Sequence, residues 1–243
     1  VPIAFGTSTT ATGNNVTTTV ITKPSSTADG DMLLLAILVS ESVGVTPTVT
    51  GSWTQKVRQD MVATGDNQDS TLILYYRRAS SEPADYTITW DGTYGNYGAA
   101  HILRYTGVTK SGDPFRTTNV ATSGASTTAG PVASAALTGV QATDLAVHWS
   151  GACLSSWNGN DHNPAGPGGS WVERGEIVAT AATSTPSVMA VEQLGVGTAP
   201  SFSATGTGTA LVWNFIAGAL IADQGVIGRP NIVSQAVGRA SLR

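Results

Sequence analysis

Three histidines are the first side chains to test for chemistry. His101 begins the segment HILRYTG, where alternation puts it on one face with Leu103 and Tyr105. His148 stands between Val147 and Trp149 and faces the opposite way from both. Both read as packed sheet histidines, not as general bases. His162 lies in WNGNDHN, where Asp161, His162 and the asparagines gather oxygens and an imidazole in one loop. The plain reading of that loop is turn chemistry, with Asn and Asp bonding their own backbone. The sharper reading is a weak metal site at Asp161 and His162, although hard cations need six to eight oxygens and no EF-hand spacing is present.

Carboxylate pairs for glycoside hydrolysis must flank one bond about 5–9 Å apart. Glu82 with Asp85 and Glu173 with Glu176 are the available pairs, and neither falls on an evident cleft. G-x-S-x-G, H-E-x-x-H and the P-loop are absent. No catalytic residue and no cofactor site is therefore expected. Aromatic residues in polar loops are the remaining candidates. Tyr94 and Tyr97 lie in DGTYGNYG, and Trp157 lies beside Asn158 and Asn160. On the rim of a sandwich such rings stack on sugars; packed within their own loops they do nothing further.

Composition narrows the classes. Charged residues make up 12% of 243, about half the usual share, and the net charge is -4. Nucleic-acid binding needs clustered Lys and Arg, and the best cluster is the pair Arg77-Arg78. The single cysteine, Cys153, excludes an intrachain disulfide and reads as a small buried residue. No apolar run reaches the roughly 18 residues of a membrane span; LVWNFIAGALIA at 211–222 comes closest. No signal peptide is read at the start.

The elements that must hold these residues are strands. Val16–Ile21 alternates and reads as an edge strand, and Asp29-Gly30-Asp31 turns into the apolar run Met32–Val39, a central strand. Trp53 opens an alternating segment. Leu72, Leu74 and Tyr76 share one face, and so do Tyr86, Ile88 and Trp90. Residues 109–143 read as a crossover with short edge strands near 117–121 and 132–137. After it the pattern returns: Leu145–Cys153 answers Met32–Val39, Trp171 answers Trp53, and the segments at 187–194, 201–205 and 210–221 answer those at 72–76, 87–90 and 99–106. The fold class is all-β: a jelly-roll-like β-sandwich over residues 1–223. It is made of two pseudo-repeated halves, about 28–110 and 143–222, with an immunoglobulin-type sandwich as the runner-up and two independent small domains as the lesser alternative.

Residues 224–243, QGVIGRPNIVSQAVGRASLR, differ. They form an extended or short-helical arm that is basic through Arg229, Arg239 and Arg243 and carries Ile232, Val233 and Val237 close to one helical face. These six residues are the expected partner-binding set. The arm rests either on its own sandwich or on a neighbouring subunit.

The strings GDMLLLAILVS, GSWTQKVRQD, LILYYRRASSEPADYTITW and AAHILRYTGV together resemble a recurrent module of tailed-phage structural proteins. The module occurs in minor tail and related virion proteins of phages that infect actinobacteria. The resemblance covers about residues 28–110, and the closing GRPNIVSQAVGRASLR is similar to terminal arms of such proteins. It implies a non-enzymatic virion component in the tail, the baseplate or a capsid decoration. Its partners would be other virion proteins and copies of itself, with a host surface glycan as a further partner and no nucleic acid or membrane insertion. A carbohydrate-binding sandwich for glycan attachment is the rival class, and a sandwich hydrolase comes third.

Overall fold

A computed structural model of the chain describes residues 1–40, 43, 46–62, 69–90, 97–126, 132–153, 162–165, 171–179, 186–195, 197–204 and 211–224. Sixteen strands lie among them and no helix does. In the N-terminal lobe they are β1 (Ala4–Gly13), β2 (Thr18–Thr22), β3 (Met32–Ser40), β4 (Thr48–Val49), β5 (Thr54–Met61), β6 (Ser70–Arg78), β7 (Asp85–Thr89) and β8 (Gly98–Thr106). In the C-terminal lobe they are β9 (Phe115–Ser126), β10 (Val132–Ala133), β11 (Leu145–Cys153), β12 (His162–Ala165), β13 (Val172–Val178), β14 (Ser187–Leu194), β15 (Ser201–Ala204) and β16 (Leu211–Leu220).

The duplication is complete. One lobe orders its large sheet β1-β8-β3-β6-β5 and its small sheet β2-β7-β4; the other orders them β9-β16-β11-β14-β13 and β10-β15-β12. Every pairing is antiparallel, and each strand of one lobe has its counterpart eight places on. Each lobe is thus an eight-stranded jelly-roll sandwich in its own right. The all-β sandwich class stands, but the expected layering does not. Sequence reading gave one sandwich shared by two halves, whereas each half closes its own. The expected repeat limits also fall short, because β1, β2, β9 and β10 belong to the repeat. The segment 109–143 carries edge strands where they were expected, β9 longer than the stretch near 117–121 and β10 as a two-residue strand, each at the edge of its sheet.

The two lobes stack through their five-stranded sheets, giving four layers. Every residue of β3 and of β11 is buried. Alternate side chains of each serve two cores. Leu33, Leu35 and Ile37 face the small sheet of their own lobe, with Tyr86, Ile88 and Trp90. Met32, Leu34 and Leu38 face the other lobe and share a core with Leu145, Val147 and Trp149. A strand covered on both faces has no place for a polar alternation, which is why both read as continuous apolar runs.

Local details repeat as well. Asp31 and Asp144 each close the turn into the central strand: their carboxylates accept the backbone N–H three residues back, from Ala28 and Gln141. The indoles of Trp53 and Trp171 immediately precede β5 and β13 and pack inward within their own lobes, edge-on to Tyr86 and to His148 respectively. Three residues after each tryptophan the pairing to the next strand slips, at Lys56 and at Arg174. Cys153 is buried in the shared core, as expected.

Candidate assembly surface

Several buried polar groups, Ser70, His101, Glu192 and Asn214, sit on the seam between the lobes. Counterpart strands meet reciprocally there, β1 with β13 and β9 with β5, as across a twofold axis. On one side Arg174 reaches Glu192, lies 4.6 Å from the Phe5 ring centre, and leaves Glu192 to accept the Tyr105 hydroxyl at 2.7 Å. Burial, and then the charge of Glu192, push the Tyr105 phenol well above its ordinary range. The counterpart cluster has diverged: Lys56 pairs with Asp113 and stands 5.5 Å over Phe115, which meets Tyr76 edge-on. Asn214 donates across the seam to Ser70 at 2.6 Å.

The histidines behave as packed residues. His101 lies on the seam face with Leu103 and Tyr105, fully buried, where burial lowers its pKa to about 4. It fits because Gly175 opposite it has no side chain. A Cβ there would stand 2.9 Å from His101 Nε2, and φ at Gly175 is +143°. His148 points the other way, as alternation required, into the interior of its own lobe. Ser134 Oγ is 2.9 Å from its Nδ1, and burial lowers its pKa to about 3.

The remaining candidates do not converge. Glu82 accepts from Arg77, from the Ser80 amide and from the Tyr86 hydroxyl, so it locks a turn, while Asp85 is exposed at the head of β7. Glu173 and Glu176 follow one another along the edge strand β13. Among the described residues no group of three or more His, Cys, Asp or Glu could hold a metal. His162 opens β12 and pairs through its backbone with Ala204. Tyr97 is half-buried just before β8, and its carbonyl accepts the Ser40 amide at 3.0 Å. Asp161, Tyr94 and Trp157 lie outside the described residues, as do Arg229, Ile232, Val233, Val237, Arg239 and Arg243.

The surface that sequence reasoning missed is the pole where the lobes are joined. The segments leaving β8 and β16 pair with each other there: Thr109 N–H donates to Ile221 O and Asp223 N–H to Gly107 O, around a bridge between Val108 and Ala222. These are counterpart segments, so the bridge straddles the twofold axis. The Val1 amino group donates to Asp223 O at 2.6 Å, and the backbone of Pro2 lies so close to Gly107 that a Cβ there would be 2.1 Å from its carbonyl oxygen. No family model, no curated protein and no solved structure matches the chain.

Among the counterpart pairs that differ at this pole, one stands out. Arg78 pairs with Met32 and Leu194 pairs with Leu145, the first residues of the two central strands. Arg78 ties the pole together by donating to the carbonyls of Gly30 and Thr109. Leu194 instead stands 59% exposed beside exposed Val1. The groove left there has a volume of about 300 Å³ and is walled by Val1, Pro2, Ala142, Leu194, Ala222 and Asp223. Gln224, after which residues 225–243 follow, stands on its rim. The register of Arg78 against Leu194 was the signal available in the sequence, once both strands were aligned on their central partners.

Proposed function

We propose that this chain is a non-enzymatic structural component of a phage virion: a minor tail, baseplate or capsid-decorating subunit. It holds neighbouring virion proteins, copies of itself among them, through residues 224–243. The observation that carries this reading is the build of the body. Two sandwiches are fused back to back into four layers, and buried ionic and hydrogen-bonded contacts cross the seam between them. Such a block resists deformation because its cores interdigitate at the density of an organic crystal. A rigid spacer needs that property. The sparse charge of the surface weakens repulsion between close-packed copies, and the basic, aliphatic arm is suited to lie along a neighbour. A stable contact of this kind buries about 1,200 Å² or more.

The test is truncation after Asp223, followed by reconstitution into particles. The shortened chain keeps the far-ultraviolet signature and melting temperature of the full chain, yet it is incorporated at least tenfold less. Incorporation at the full chain's level refutes the proposal.

A further inference from the structure

A bare sheet edge is a template for another strand, and folded proteins protect such edges with bulges, prolines or brevity. Among the described strands every edge but one is protected in this way. The large-sheet edges β1, β5, β9 and β13 each slip register against their neighbour, and each lies beside an edge of the other lobe. In the small sheets β4 and β10 are two residues long, and β12 contains Pro164. The exception is β2 (Thr18–Thr22), the other edge of the N-terminal small sheet. Its sequence TTVIT is β-branched throughout, uncharged and free of proline, and its pairing with β7 is unbroken.

The ladder fixes which backbone groups of β2 face outward. Thr17 O accepts the Trp90 N–H at 2.9 Å, and Lys23 N–H donates to Ala84 O at 2.8 Å. Bonding alternates along an antiparallel pair, so residues 17, 19, 21 and 23 serve β7 while Thr18, Val20 and Thr22 turn N–H and C=O away from it. The Thr9 hydroxyl of β1 donates to Thr22 O at 2.6 Å. The outward backbone groups of Thr18 and Val20 have no partner among the described residues. Thr18 and Thr22 are exposed beside them, and Val20 is 59% exposed.

We propose that β2 pairs with β2 of a second copy, antiparallel about a twofold axis at Val20, and joins two three-stranded sheets into one continuous sheet. The edge is its own complement. The axis sets Val20 opposite Val20 of the second copy and Thr18 opposite Thr22, and aliphatic and threonine pairs of this kind stabilise antiparallel sheets. No charge meets its like: the nearest cation, Lys23, is bonded to Glu82 O at 3.3 Å and falls opposite Thr17. A five-residue pairing buries less than the roughly 1,200 Å² of a stable dimer, so the contact is reversible in dilute solution and closes where copies are crowded. This rests on the reading that copies of the chain pack against one another, and it adds a second contact to the arm.

Single cysteines in the full chain test it. Residues that face each other across such a pair have Cα atoms about 5.5 Å apart, within reach of a disulfide. Cys153 is buried and does not compete. Under mild oxidation of concentrated protein, Val20→Cys links copies about tenfold faster or more than Thr22→Cys, which the axis places about 14 Å from its own mate. An equal mixture of Thr18→Cys and Thr22→Cys links as fast as Val20→Cys, between unlike copies. Equal rates for Val20→Cys and Thr22→Cys, or a mixture no faster than Thr22→Cys alone, overturn the proposal. Should a cysteine variant fail to fold, sedimentation decides. The concentration-dependent dimer of the unaltered chain is lost in Val20→Lys, whose ammonium groups face each other, and returns on mixing with Val20→Glu. A monomer at every concentration, or a dimer that survives Val20→Lys, overturns the pairing. Truncation after Asp223 reads the arm and the cysteines read the edge, so either can fail while the other stands.

Discussion

Lowering the pH from about 7.5 to about 5 titrates the unfolded chain at His101 and His148 but leaves both neutral in the fold. Burial holds them at about 4 and about 3, against an ordinary 6.5. The folded-state values are depressed, and the unfolded chain binds the protons first. Stability is therefore complete above about pH 6.5 and falls as the pH drops towards 4 and 3. At about pH 5 the loss is about 2 kcal/mol for each histidine, roughly 4 kcal/mol together, from the fraction each state has protonated. That is a large share of the 5–15 kcal/mol typical of a folded protein. Urea unfolding at the two pH values measures it. With a slope near 2.5 kcal/mol per molar, the midpoint moves down by roughly 1.5 M. His101→Leu removes one titration and cuts the pH dependence to about half. A midpoint that moves by less than about 0.4 M, or a His101→Leu variant with the full pH dependence, refutes the reasoning.

Two further variants probe the seam. Glu192→Ala strands the buried Tyr105 hydroxyl and unpairs the half-buried Arg174 and costs about 2–3 kcal/mol, which lowers the melting temperature by roughly 6–8 °C on a calorimetric scan. Gly175→Val drives its side chain into His101 across the seam and imposes a φ that β-branched residues rarely adopt. It destabilises by about 3 kcal/mol or more in denaturant, and pairing it with His101→Ala recovers part of the loss, because the clash goes and the backbone strain stays.

What the sequence made legible follows from burial. Met32–Val39 and Leu145–Cys153 stood out because both faces of each strand are covered, and Trp53 and Trp171 because an indole needs an interior to enter. The same two apolar runs also implied a further layer on each side. A strand with no polar face cannot belong to a two-layer sandwich open to water on one side, and reading it so produced one shared sandwich instead of two. The edge strand β1 was invisible, and β9 was read at less than half its length, for the opposite reason. AFGTSTTATG and FRTTNVATSGAS lean on threonine, glycine and serine, and such edges carry little hydrophobic alternation. The groove at the pole depends on residues far apart in sequence, Val1, Ala142, Leu194 and Asp223, which no local pattern connects.

The hydrogen bond from the Val1 amino group to Asp223 places the start of the first lobe against the end of the second, at the spot where residues 107–109 pass from one lobe to the other. Circular permutation of residues 1–224 is therefore topologically free. A few residues of linker joining 224 to 1, with new termini cut between Lys110 and Ser111, would run the lobes in reverse order while every strand keeps its partners. The pairings inside each lobe and the contacts across the seam do not depend on which lobe comes first along the chain.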